Sequence, residues 1–82
     1  MDISVDDKTK DLILDIVNSY QDIKEVQSIS SSPVGYKYVI VIVICVDGNM
    51  STFESHELAD SLETTVNGLE KVYKTVVHVD PV

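Results

Sequence analysis

The chain has 82 residues, 44% apolar and 24% charged, a balance that suits one folded domain over 1–82 and excludes a disordered tail. Fourteen carboxylates against six lysines leave a formal charge of −8, which repels phosphate backbones and sets nucleic acid aside as a partner. The longest apolar run, 39–46, is far shorter than the roughly 20 residues that cross a bilayer, so this segment is expected to be soluble with no direct membrane insertion.

The N-terminus, Met1-Asp2-Ile3-Ser4-Val5-Asp6-Asp7, has no basic stretch of the kind that opens a signal peptide. Leu12, Ile13, Ile16, Val17 and Tyr20 then recur at helical spacing, which predicts a one-faced helix from about Asp7 to Tyr20. Either Asp6 or Asp7 suits its N-cap. A weaker alternation between Ile23 and Ser31 reads as a strand, and Ser30 to Ser32, Pro33 and Gly35 read as the loop after it.

Tyr36 to Val46 is the strongest strand signal in the chain. Tyr38, Ile40, Ile42, Ile44 and Val46 share one face, and Val39, Val41, Val43 and Cys45 the other. A sheet covered by helices on one side should alternate apolar with polar, so an apolar second face needs cover of its own. A partner subunit is its simplest source. Cys45, the one cysteine, rules out an internal disulfide, fits a reducing compartment and reads as a buried thiol.

After the Asp47-Gly48-Asn49 turn, Ser51-Thr52-Phe53-Glu54 forms a capping box, and Leu58, Ala59, Leu62, Val66 and Leu69 give the helix behind it an apolar stripe ending near Gly68. Val72 to Val79 reads as a last strand closing at Asp80-Pro81. The order helix, strand, strand, helix, strand predicts an α+β sandwich of ferredoxin-like αββαβ type, with two helices on one face of a three-stranded sheet. The open face is expected to take partners. The four tyrosines read as core and interface fillers.

The chain's two histidines sit at element ends, His56 near the start of the second helix and His78 in the closing His78-Val79-Asp80. A strand sends residues i and i+2 to one side, so His78 and Asp80 share a face. Two imidazoles and a carboxylate make a three-ligand set for a divalent ion, with Asp60, one helical turn beyond His56, as an acceptor for its ring. Taken singly, a histidine at a helix start and an HxD at a strand end are ordinary surface features; only their combination points to metal. No serine or cysteine nucleophile stands in a usable motif and the three glycines are scattered, so the expectation is a protein that is not an enzyme.

The stretch Ser51-Thr52-Phe53-Glu54-Ser55-His56-Glu57-Leu58-Ala59-Asp60, followed by Val76-Val77-His78-Val79-Asp80-Pro81, resembles the cytosolic C-terminal domain of cation diffusion facilitators. The resemblance covers nearly the whole chain. It implies a cytoplasmic domain that binds Zn2+ or a related ion, forms a V-shaped homodimer below the transmembrane domain of the same transporter, and regulates transport. By position it implies His56, His78 and Asp80 as metal ligands. Family members of the zinc type also carry histidines in the first two strands, where equal loop lengths put Gln27 and Val43, neither a good zinc ligand. Beyond the final motif, where some relatives add another ligand, stands only Val82.

Two other readings compete. One is a metal-independent ferredoxin-like dimerisation or small-ligand regulatory domain that uses the Tyr36–Val46 face. The other is a small hydrolase using His78 and Asp80 as a general base.

Overall fold

The computed structural model describes residues 5–81, so most of the N-terminal stretch read for a signal segment, and Val82, lie outside the described residues. The elements run α1 (Asp7–Asn18), β1 (Glu25–Val34), β2 (Lys37–Val46), α2 (Thr52–Asn67) and β3 (Val72–Pro81). The sheet order is β1-β2-β3, with β2 antiparallel to β1 and parallel to β3. A parallel pair needs a long crossover, and α2 supplies it. The ferredoxin-like αββαβ arrangement expected from the order of elements is the one observed.

Both helices start on side-chain caps. Asp6 accepts the backbone N–H of Thr9 at 2.8 Å. At α2, Ser51 Oγ accepts from Glu54 N at 3.0 Å while Glu54 Oε1 accepts from Ser51 N at 3.1 Å, the reciprocal pair of a capping box. Helix α1 ends two residues short of the expected Tyr20, whose hydroxyl instead reaches Ser61 Oγ of α2 at 2.8 Å.

The hairpin departs from expectation. Ser30 to Ser32 and Pro33 are not a loop; β1 continues through them to Val34, leaving Gly35 and Tyr36 as the whole turn. Gly35 has φ +63°, the positive φ that the first residue of a two-residue hairpin turn requires and that glycine adopts without strain. The serines can stay in the strand because β1 is an edge and alternate ones face solvent. Pro33 is tolerated there for the same reason.

The core lies between the helices and one face of the sheet. Ile13 and Val17 of α1 meet Leu58, Leu62 and Val66 of α2 over Ile29, Ile40, Ile42 and Ile44, all buried. The other face carries Val39, Val41, Val43 and Val76, each only half-buried. No described element of the chain lies across it. Tyr20 and Tyr38 pack against the core, but Tyr36 at the turn and Tyr73 at the start of β3 are 84% and 63% exposed, so neither is a core filler.

Candidate metal centre

α2 packs against β3, one of the two edges of the sheet, and a groove of about 390 Å³ runs between them. His56, Asp60 and Glu63 stand along its helix wall at spacings of four and three residues, hence on one helical face. Val77, His78 and Val79 form the strand wall. The two histidines, 22 positions apart in the sequence, thus line one groove and are both exposed.

Glu63 fastens that groove. Its Oε2 accepts the backbone N–H of Val77 at 2.9 Å. On an edge strand this N–H points away from the sheet and has no ladder partner, so the carboxylate satisfies a donor that would otherwise need water. Asp60 lines the same groove beside His56, where the sequence placed it as a ring acceptor; no hydrogen bond between the two is formed.

Asp80 does not line the groove. It stands on the uncovered face of the sheet, level with Cys45, which in turn is level with Glu25. Burial, reinforced by the Glu25 and Asp80 carboxylates, pushes the Cys45 thiol up from its ordinary range. Cys45 is therefore a protonated, 5% exposed thiol, as its place in an apolar run suggested. His78 shares this face with Asp80 and, being on the edge strand, borders the groove as well. It is the corner at which the two surfaces meet.

Register also decides which β1 residue stands level with His78. A bulge between Val26 and Ser28 leaves Gln27 without a partner, so the row reads Ser28, Val43, His78. Of the two positions counted for the family's strand histidines, Val43 is level with His78 and Gln27 lies at the bulge. Neither Ser28 nor Val43 adds an imidazole.

Two imidazoles in one groove with carboxylates on its wall are donors of the right chemistry for a divalent ion. The fit is partial. Among the described residues no three His, Cys, Asp or Glu side chains converge to hold a metal ion, and one oxygen of Glu63 is engaged with Val77.

A family model for the cytoplasmic domain of cation efflux proteins matches residues 5–82. Among solved structures, the chain is similar to the metal-bound C-terminal domain of the CzcD transporter from Thermotoga maritima, at 25% identity over 90% of this chain and 87% of that one, with a TM-score of 0.85. It also resembles a cadmium form of the MamM CTD, at 16% identity, 93% and 96% coverage and a TM-score of 0.82. A nickel form of the MamM CTD matches at 15% identity, 94% and 99% coverage and a TM-score of 0.83. No curated protein matches significantly. No helix among the described residues is long and apolar enough to cross a membrane. The chain belongs to the family of cytoplasmic domains of cation efflux proteins, the cation diffusion facilitators.

Proposed function

We propose that this chain is a regulatory, non-catalytic domain that binds a divalent cation, Zn2+ being the best match to its donors, and thereby tightens a homodimer attached to the transmembrane domain of its transporter. The observation that carries the reading is the shared groove of His56 and His78. Metal supplies charge neutralisation and a bridge. His56 and His78 present imidazole nitrogens from the two walls, and Asp80 adds its carboxylate from the sheet face next to His78. Two copies together carry twice the −8 of one chain, a self-repulsion that bound dications lower.

The test is calorimetric titration of zinc into chelator-treated wild type, His56→Ala and His78→Ala, with melting temperature followed in parallel. Wild type should release heat and gain stability, and both variants should lose most of each response. Equal responses from all three proteins would remove the groove from the account. Asp80→Asn separates the contribution of the carboxylate, and unchanged affinity there would leave the two imidazoles as the protein's donors.

A second reading draws support from the lack of three converging donors among the described residues: the domain dimerises without metal, through the open sheet face. Dimerisation that is unchanged by chelator, together with no heat on zinc addition, would favour it.

A further inference from the structure

Resting on the groove reading above, we infer that Glu63 is a positioning residue for the two histidines. Its hydrogen bond to the Val77 N–H, rather than its charge, fixes how far apart His56 and His78 stand.

The two walls of the groove differ in how firmly they are seated. Leu58, Leu62 and Val66 anchor α2 in the core, and the Ser51–Glu54 capping box closes its first turn. β3 is an edge strand, with β2 on one side only. His56 and His78 are both exposed. An exposed ring takes its position from the backbone that carries it, so the spacing of the two rings depends on how β3 lies against α2.

Glu63 acts where that spacing is decided. Its Oε2 accepts from the Val77 nitrogen at 2.9 Å, one residue before His78. Along α2 it stands seven positions after His56, about two helical turns on and on the same face. His56 thus lies between two fixed points, the capping box and this bond, while His78 lies beside the second. Without the carboxylate, the Val77 N–H turns to water and the outer edge of β3 is no longer tied to the helix. Metal donors have to be held to within roughly 0.5 Å. Removing the outer contacts that orient them typically costs about 10–100-fold in affinity. Nothing in this role requires Glu63 to touch the ion.

Two substitutions of opposite character separate positioning from charge and from direct ligation. Glu63→Gln loses the charge but keeps an oxygen at the same reach; Glu63→Asp keeps the charge but is one methylene too short. Zinc dissociation constants are measured by calorimetry for wild type, both variants and Glu63→Ala. Exchange of the Val77 amide is followed by NMR on the metal-free proteins. Glu63→Gln should keep that amide protected and bind zinc within a few-fold of wild type. Glu63→Asp and Glu63→Ala should expose the amide and weaken zinc binding about tenfold or more. Amides of Ile42 and Ile44, in the central strand, should stay protected in all four proteins and so report an intact fold.

The reverse order, with Glu63→Asp like wild type and Glu63→Gln as weak as Glu63→Ala, would overturn the role and make Glu63 a source of charge or a ligand. Equal zinc affinities in all four proteins would overturn it too, and either result would leave the metal reading standing. A wild type that takes up no zinc would overturn that reading and this role with it.

Discussion

Thr75 and Glu63 are the two polar side chains whose surroundings say most about the local energetics. Thr75 is 3% exposed on the helix side of β3, and its hydroxyl has no hydrogen-bond partner among the described residues. An unpaired buried hydroxyl costs about 1–3 kcal/mol. Thr75→Val keeps the branched shape and removes the orphan, so it should stabilise the fold by about 1 kcal/mol, or roughly 4–8 °C in melting temperature. A lower melting temperature would mean that the hydroxyl is satisfied. Glu63 has the opposite character, since its carboxylate holds the Val77 N–H. Glu63→Ala should cost about 1 kcal/mol, less than a buried charged bond because water can replace it. In hydrogen exchange the Val77 amide should lose protection selectively, and an unchanged rate there would show that the brace is dispensable. At this scale the sequence marked His56 and His78 because histidine is scarce. It could not show Glu63 as a brace, because that bond joins residues 14 positions apart whose proximity only the crossover creates.

The elements owe their ends to caps that titrate. The Thr9 backbone N–H holds the Asp6 carboxyl below its ordinary 3.8, and the Ser51 backbone N–H does the same for Glu54 below 4.5. Both groups have folded values lower than unfolded ones, so their contribution is complete above about pH 4.5 and is lost as pH falls through the folded values. The melting temperature should therefore decline below about pH 4.5. Glu54→Gln, which keeps an acceptor but does not titrate, should show a shallower decline in that window. An identical acid profile for the two proteins would remove the capping box from the acid sensitivity. This box was legible in four consecutive residues because capping is local chemistry. The hairpin was not: a serine-rich stretch with a proline reads as loop, and only pairing with β2 makes Ser30 to Val34 a strand. The bulge at Gln27 is equally non-local, since it exists only in the pairing of β1 with β2.

For the whole molecule, an 82-residue domain buries only about 60% of the surface its unfolded chain exposes, so external stabilisation matters. The apolar second face of β2 was read from alternation alone, and the structure leaves it uncovered among the described residues. Which residues border it at each end was not legible, since that depends on register across three strands. If metal binds the folded domain, zinc at a hundredfold excess over its dissociation constant should add about 2.7 kcal/mol, or roughly 10–20 °C in melting temperature. A melting temperature that ignores saturating zinc would contradict coupling between metal and fold.

The two histidines make the central claim open to one direct observation, because every imidazole signal in this chain belongs to His56 or His78. Imidazole nitrogen resonances are followed by NMR during a zinc titration of chelator-treated protein, with His56→Ala for assignment. The account predicts that both rings shift together, with one shared dependence on zinc concentration. Rings that stay unmoved at saturating zinc, or move at widely different concentrations, would contradict it.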